Sequence, residues 1–337
     1  MIIDNINLMG IKHLNRLIRN TCNNSLKKIH FSELINKKLS IDISIYLYKY
    51  QLENTLIENI YLMISLFRMY NIIPVFIFDG KPPAEKKELL KERRDKKKEA
   101  KERYDQLQDM LSQELTKEEK QNILDEMDNE KKNFVKIRHS DIENVKKLIR
   151  LYGVTYYDAP GEAEELCALL LKKNIVDGCI SEDMDLFLYG CEKVYRYLSL
   201  ANSTVVLYNT NDIFKSLKCS LKEFQIICIL SGTDYYNFDV GNLSRCMHLF
   251  NKFLKSKSKI QEENQNEIPQ DFFNWLIINK ILTIDDHNII NNIIELFNYS
   301  NIISKNKLNS TFSCKNINYN NDSLKCFMKD YGFIYLN

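Results

Sequence analysis

The sequence predicts an α/β protein with a mostly parallel central sheet and helices on both faces of that sheet. Two observations favour this fold class. Short apolar runs alternate with segments of helical periodicity, which is the pattern of consecutive strand–helix–strand units. The run Ile72–Phe78 is apolar at almost every position, which is typical of a strand that is covered on both faces.

The composition limits the class of protein without indicating a partner. The chain has 337 residues, enough for one large or two modest domains, and 45% of them are hydrophobic. The 47 basic and 45 acidic residues nearly cancel, so the total charge favours neither nucleic acid nor membrane. The nine cysteines form no Cys-x-x-Cys pair, which favours reduced thiols and an intracellular location. The sequence shows no secretory signal or membrane-spanning run, and we expect a monomer without membrane association.

The first quarter of the chain contains two predicted strands, and both lead into an aspartate. An amphipathic helix with Leu14, Leu17 and Ile18 on one face comes first. The later elements are a buried strand Lys38–Asp42, a helical pattern around Tyr46–Tyr50, a helix Leu56–Met69, and the strand Ile72–Phe78 that precedes Asp79.

A long charged segment follows, from Ala84 to Ile137. Its first part, Ala84–Arg103, has ten Lys or Arg and six Asp or Glu, with no Gly or Pro. Thr116–Glu119 has the form of a capping box, which predicts that a second helix starts there. By composition alone, a solvated helical hairpin is favoured for such a mixed-charge run. The functional alternative is a basic gate around a nucleic-acid strand.

The next segment, residues 139–235, again alternates strands and helices. Its predicted elements are a helix with a capping box at Ser140–Glu143, a strand Val154–Tyr157, a helix that opens at Pro160, a strand Ile175–Ile180, two β-rich runs Val194–Leu198 and Thr204–Tyr208, and an apolar helix capped by Ser220. Beyond residue 236 the patterns are helical, and the last of them is Ser323–Phe333.

Seven carboxylates are predicted to lie near one edge of the sheet, at strand ends or helix ends: Asp42, Asp79, Glu162, Glu164, Asp183, Asp185 and Asp234. So many acids would repel one another unless cations were bound between them. Oxygen ligands favour Mg²⁺ or Mn²⁺ over zinc, and two such ions about 4 Å apart catalyse in-line displacement at phosphorus. For any single acid, a helix cap or a solvated loop position is the alternative.

Five segments of the sequence resemble the flap endonucleases of the XPG-like 5′ nuclease family. They occur in the family's order over roughly residues 9–250. They are Met9–Ile11, Phe78–Pro83, Asp158–Glu164, Ser181–Asp185 and Ser231–Tyr235. The resemblance implies a PIN-like (5′-3′ exonuclease-like) α/β nuclease with a helical arch over the active site and a C-terminal helix-turn-helix region.

The resemblance also implies two Mg²⁺ ions, for which Mn²⁺ can substitute. The first ion would be surrounded, directly or through water, by Asp42, Asp79, Glu162 and Glu164. The second would be surrounded by Asp183, Asp185 and Asp234.

Further residues match the family's contacts to DNA. Lys86 and Arg93 match arch residues that contact the scissile phosphate, and their spacing of seven places them on one helix face. That match favours the arch over a merely solvated hairpin. Tyr48 matches an aromatic residue that stacks on a base. The other residues implied to contact DNA are Gly10, Glu162, Gly232, Asp234, Gly241 and Arg245.

The sequence departs from the family pattern in three places. The stretch between Asp42 and Asp79 is shorter than usual by about a dozen residues, and it normally helps to hold a one-nucleotide 3′ flap. The segment Val240–Arg245 retains only Gly241 and Arg245 of the duplex-gripping hairpin. A sliding-clamp peptide is not seen in the C-terminal segment.

The expected organisation is an N-terminal extension (1–8), a nuclease N-terminal region (9–103), a charged helical arch (84–138), a nuclease internal region (139–235), and a helical DNA-binding region with an Asn-rich C-terminal segment (236–337). The expected activity is Mg²⁺-dependent cleavage of branched or 5′-ended DNA as a flap endonuclease or 5′-3′ exonuclease. The alternatives are a 5′ exonuclease or junction resolvase of the same family, or a non-catalytic DNA-binding relative. We expect the protein in the nucleus or at a site of viral DNA replication.

Overall fold

A computed structural model describes residues 11–83, 86–113, 116–236, 238–263, 271–298 and 321–335. The chain divides into two compact units. Of the described residues, the first unit contains Leu34–Ala163 and the C-terminal residues 321–335, and the second contains residues 11–33 and 164–298. The predictions for residues 1–8 and for Gly10 lie outside the described residues.

The described residues form seven strands and thirteen α-helices. In chain order they are α1 (Leu14–Thr21), β1 (Leu26–His30), β2 (Lys38–Asp42), α2 (Ser44–Leu52), α3 (Leu56–Met69), β3 (Ile73–Phe78), α4 (Lys87–Met110), α5 (Lys117–Phe134), α6 (His139–Leu151), β4 (Thr155–Asp158), α7 (Ala163–Lys172), β5 (Gly178–Ile180), β6 (Lys193–Ser199), β7 (Thr204–Asn209), α8 (Thr210–Leu217), α9 (Leu221–Leu230), α10 (Leu243–Glu263), α11 (Phe272–Ile278), α12 (Ile284–Leu296) and α13 (Asn321–Lys329).

The strands of the first unit are all parallel and are ordered β2-β3-β4. Asp42 pairs with Ile77, and Phe78 pairs with Asp158, so the three strands end at the same edge. The interior of β3 is fully buried, as its continuous apolar sequence predicts. Helix α6 packs against α3, and the C-terminal helix α13 packs against α6.

The strands of the second unit are mixed and are ordered β1-β7-β6-β5. β5 and β6 are parallel, whereas β6 and β7 form an antiparallel hairpin and β1 adds antiparallel to β7. Over both units, three of the five described strand pairs are parallel, which agrees with the predicted mostly parallel sheet, and the two antiparallel pairs both lie in this unit. The antiparallel pairing of β6 and β7 follows from the short turn between them, since a connection of a few residues can join only antiparallel strands. The sequence did not predict β1, whose residues lack a clear alternation.

The charged segment forms the two expected helices, α4 and α5, which pack against each other. Few apolar side chains hold this pair together: Ala100, Ile123 and Met127 are buried, and the rings of Tyr104 and Phe134 lie 5.2 Å apart. The predicted capping box at Thr116 is present, with Glu119 accepting from the Thr116 backbone at 2.9 Å.

Three predicted boundaries are wrong. Helix α6 begins at His139 instead of after Ser140, because the Asp141 carboxylate accepts the Arg138 N–H at 2.8 Å and caps an earlier turn. Helix α7 begins at Ala163 instead of at Pro160, because Gly161 accepts a backbone hydrogen bond from Gly80. Strand β5 begins only at Gly178, because Ile175 donates to Leu170 in the turn that ends α7.

Candidate active site

In the first unit, Ser44 connects the two aspartates at the strand ends. Its backbone N–H donates to Asp42 Oδ1 at 3.1 Å, and its hydroxyl donates to Asp79 Oδ2. Asp42 is the last residue of β2 and is buried, and Asp79 directly follows β3. The structure therefore brings Asp42 and Asp79 together. Ser44 was not predicted as a site residue from the sequence, although its position two residues after Asp42, at the start of α2, allows a local turn onto that carboxylate.

A tight backbone contact directs Asp79 toward the start of α7. Ala159 N–H donates to the Phe78 carbonyl at 2.8 Å, and Gly80 N–H donates to the Gly161 carbonyl at 2.7 Å. A Cβ at Gly80 would lie 1.8 Å from the Ala159 oxygen, so this position accepts only glycine. As a result, Asp79 Oδ1 accepts from the Ala163 N–H at 2.9 Å, where the helix N-terminus favours negative charge.

Lys86 and Glu162 form a tight ion pair in the first unit. Lys86 Nζ lies 2.7 Å from both carboxylate oxygens of Glu162. The Lys86 side chain is only 3% exposed and that of Glu162 only 12%. The sequence predicted both residues as site residues, and the structure brings them together at the base of α4, where Lys86 is the N-cap residue.

Tyr48 lies between a carboxylate and the basic residues of α4. Burial raises the pKa of its hydroxyl; the nearby Asp79 raises it further and Arg93 lowers it. Lys97, one turn after Arg93, places its ammonium group 5.0 Å from the centre of the Tyr48 ring. Burial, and then the neighbouring Arg93, lower the pKa of Lys97. Lys97 was not among the residues predicted from the sequence, although its spacing of four from Arg93 puts both on one helix face.

In the second unit, the acidic segment after β5 is folded on itself. Ser181 Oγ accepts from the Asp183 N–H at 3.0 Å, and Asp183 Oδ1 accepts from the Asp185 N–H at 2.9 Å. Asp183 and Asp185 are both buried. Glu182, between them in sequence, instead pairs with Arg196, whose guanidinium lies 3.4 Å from the Glu182 carboxylate. Glu182 is therefore held by an ion pair, whereas Asp183 accepts a hydrogen bond from the backbone of its own segment.

Glu164 and Asp185 lie near the same buried tyrosine of the second unit. Burial raises the pKa of Tyr189 far above its usual value, and Tyr235, Glu165, Glu164 and Asp185 raise it further. Asp185 also contributes, after burial, to the raised pKa of Cys228 near the end of α9. The half-buried Asp234 follows α9 in the same segment as Tyr235. Gly232, two residues earlier, has a φ of 99°, which only glycine adopts readily.

The expected duplex-binding segment begins α10. Gly241 has a φ of 118°, which only glycine adopts readily, and it lies beside the Arg245 side chain. Asn242 caps the helix by accepting from the Arg245 N–H at 3.1 Å.

The proposed metal ligands are divided between the two units. In the part of the chain that the structure describes, no three His, Cys, Asp or Glu side chains form a group that could hold a metal ion. The first unit contains Asp42, Asp79 and Glu162, and the second contains Glu164, Asp183, Asp185 and Asp234. The donor chemistry is entirely carboxylate, which fits Mg²⁺ or Mn²⁺. Separately, the helices among the described residues include none long and apolar enough to cross a membrane.

Comparison with known proteins identifies the family. The XPG N-terminal domain model matches residues 9–100, and the XPG I-region model matches residues 153–234. The chain is 30% identical to flap endonuclease 1 of Brugia malayi, over 78% of this chain and 72% of the relative. The chain belongs to the flap endonuclease family of XPG nucleases. The prediction made from the five sequence segments is thus confirmed.

Other members of the family extend this result. The flap endonuclease 1 of Glycine max is 33% identical, over 67% of this chain and 62% of the relative's length. A probable RAD2-like endonuclease of Invertebrate iridescent virus 6 is 28% identical, over 74% of this chain and 75% of the relative. The family therefore includes eukaryotic and viral members, and flap endonucleases are metal-dependent.

A solved structure shows that the fold is also shared. The catalytic core of Rad2 matches 96% of this chain and 96% of its own, with a TM-score of 0.63 and 22% sequence identity. The chain therefore has the α/β, PIN-like nuclease fold predicted from its sequence.

Proposed function

We propose that this protein is a Mg²⁺-dependent, structure-specific nuclease that hydrolyses DNA phosphodiesters at 5′ flaps or 5′ ends during replication, repair or recombination. The observation that carries the proposal is the Asp42–Asp79 pair, joined by Ser44 at the ends of two parallel strands. Membership of the flap endonuclease family supports it. Retention of all seven carboxylates argues against a non-catalytic DNA-binding relative.

Metal binding is proposed for the seven carboxylates named from the sequence. Buried carboxylates such as Asp183 and Asp185 need compensating positive charge to stay ionised. Bound Mg²⁺ would supply an activated water and charge stabilisation for displacement at phosphorus. Asp42, Asp79, Glu162 and Glu164 would hold one ion, and Asp183, Asp185 and Asp234 the other.

The basic and aromatic side chains of the first unit would orient the substrate. Arg93 can grip a phosphate with two parallel hydrogen bonds, and Tyr48 offers a ring on which a base can stack. Lys86, held on Glu162, keeps a cation beside the carboxylates where a phosphate would bind. Gly10, Gly232, Gly241 and Arg245 are proposed as further DNA contacts.

The test is cleavage of labelled DNA by the purified protein in Mg²⁺. A panel of 5′ flap, nicked, gapped, 5′-recessed and four-way-junction substrates separates flap cleavage from exonuclease and junction-resolving activity. We expect fastest cleavage at the base of the 5′ flap, complete loss in EDTA, and recovery with Mn²⁺. Metal-independent cleavage, or DNA binding without cleavage of any substrate, would contradict the proposal.

We also propose that the protein acts as a monomer, inside the cell, on branched DNA. The nucleus or a site of viral DNA replication fits the eukaryotic and viral members of the family. Light scattering after size-exclusion chromatography, with and without flap DNA, measures the stoichiometry directly. A dimer both with and without flap DNA would contradict the proposed monomeric state.

A further inference from the structure

The segment that carries Asp183 and Asp185 continues beyond the end of β5 along strand β6. β5 ends at Ile180, yet the Ser181 N–H still donates to the Tyr195 carbonyl at 3.2 Å. One residue further, the Glu182 side chain accepts from the Tyr197 N–H at 2.5 Å. Strand β6 therefore holds the chain up to the residue that immediately precedes Asp183.

Arg196 holds Glu182 from the other side. Its Nη2 donates to the Glu182 carbonyl at 2.9 Å and lies 3.4 Å from the Glu182 carboxylate. Both residues are almost fully buried, with exposed fractions of 3% for Arg196 and 1% for Glu182. Because one guanidinium engages both the backbone and the side chain of Glu182, it restricts the direction of the chain as it enters Asp183.

Asn15 of α1 completes this network. Its amide oxygen accepts from Arg196 Nη1 at 2.7 Å and from the Tyr208 hydroxyl at 2.8 Å. Its amide nitrogen donates to the Tyr197 hydroxyl at 2.5 Å. The guanidinium also lies over the rings of Tyr197 and Tyr208, at 5.2 and 5.3 Å from their centres.

The backbone of Tyr197 is strained at this point. Its φ of 54° is unusual for a bulky residue, and the register of β6 against β7 shifts between Arg196 and Ser199. The strain turns the Tyr197 N–H to Glu182 and its ring to Asn15 and Arg196. Such outliers persist only where the surrounding contacts over-determine them.

We propose that Glu182, Arg196 and Asn15 form a positioning network that sets the geometry of Asp183 and Asp185 for metal binding. This inference rests on the proposed function, because it assigns those two aspartates as ligands. The three residues would act as positioning residues, through Asp183 and Asp185. Outer partners of this kind commonly change metal affinity by roughly 10- to 100-fold when they are removed.

The main test replaces the buried ion pair with apolar side chains of similar size, in the double variant Glu182→Leu/Arg196→Met. Replacing both partners avoids an uncompensated buried charge, so the variant is expected to fold. Mn²⁺ binding is measured by the loss of the free-ion signal in electron paramagnetic resonance, without DNA. We expect affinity to fall about 10-fold or more, with thermal stability close to that of the wild type.

Two further single variants provide a fallback, in case the double variant does not fold, and a control. Tyr208→Phe removes only the hydroxyl that supports Asn15, so it should fold even if the double variant does not, and it should weaken Mn²⁺ binding by a smaller factor. Ser256→Ala is the matched control in the same unit, since it removes a hydrogen bond to the Phe253 carbonyl within α10, outside the network of Glu182, Arg196 and Asn15. It should leave Mn²⁺ affinity unchanged.

The outcomes separate this inference from the proposed function. Wild-type protein that neither binds Mn²⁺ nor cleaves DNA would contradict the proposed function. A cleaving wild type whose folded double variant and Tyr208→Phe variant bind Mn²⁺ normally would overturn the positioning network alone. A higher Mg²⁺ requirement for cleavage with unchanged DNA affinity would support it, because a purely structural loss would not act on metal alone.

Discussion

The two units hold their carboxylates by different kinds of contact. In the first, Ser44 joins the buried Asp42 to the exposed Asp79 through one N–H and one hydroxyl. In the second, a buried ion pair with Arg196 and the strained backbone of Tyr197 hold Glu182, the residue that precedes Asp183. A single hydrogen bond contributes about 0.5–1.5 kcal/mol, whereas breaking a buried ion pair costs roughly 3–5 kcal/mol. We infer that the carboxylates of the first unit can adjust to the substrate, whereas those of the second unit are held in position before the substrate binds.

The strongest test of this comparison removes one proposed metal ligand from each unit. Asp79→Asn and Asp183→Asn should each slow cleavage by about 10³-fold or more, because removing even one hydrogen-bond donor to developing charge costs roughly 10²–10³-fold. Single-turnover cleavage and flap-DNA binding in Ca²⁺ are measured together, and binding should be largely retained. Asp212→Asn, at an exposed position on α8, is the control. Near wild-type turnover in Asp79→Asn or Asp183→Asn would show that the replaced residue is not a metal ligand.

The next effect concerns the basic residues beside the carboxylates of the first unit. Lys86→Ala with Arg93→Ala should slow single-turnover cleavage by about 10²-fold or more, since both cations are expected to act on the reacting phosphate. Duplex affinity should change much less, because it comes from many phosphate contacts. Lys98→Ala, whose side chain is 79% exposed on α4, serves as the control. Equal losses in cleavage and binding would place Lys86 and Arg93 on a general binding surface.

A smaller effect is expected at Ser44. Ser44→Ala removes the hydroxyl that donates to Asp79 and should slow cleavage by about 3- to 10-fold, the equivalent of one hydrogen bond of roughly 1 kcal/mol. Ser44→Thr retains a hydroxyl and should restore most of the rate. Cleavage is measured across a Mg²⁺ titration. If Ser44→Ala were as damaging as the loss of the Arg196–Glu182 pair, the carboxylates of the two units would not differ as we infer.

The smallest expected effect concerns a 3′ flap on the substrate. Helices α2 and α3 are joined by only Glu53, Asn54 and Thr55, which leaves little scaffold for a pocket that recognises one nucleotide. A pocket discriminates by leaving its polar groups unpaired when the recognised group is missing. We therefore expect single-turnover rates within about 3-fold for matched substrates with and without a one-nucleotide 3′ flap, at fixed salt. A strong preference for the double flap would show that another segment forms the pocket.

Elements with a clear local pattern were predicted correctly from the amino-acid sequence. Strand β2 and helix α3 lie at the predicted residues, and α5 and α9 start after the predicted caps. Apolar periodicity and side-chain caps depend on neighbours within a few residues, so they can be recognised without a fold. The position of acids after strand ends is likewise a property of the local sequence, and it was enough to propose the site.

Which side chain each acid pairs with could be seen only in the folded protein. Glu182 looks in sequence like a third ligand beside Asp183 and Asp185, yet Arg196, fourteen residues later, holds it away in a buried pair. The link from Ser44 to Asp79 spans 35 residues, and the pair of Lys86 with Glu162 spans 76. A polar side chain keeps whichever partner the packed backbone brings within hydrogen-bond distance, and that distance is set by contacts far apart in the chain.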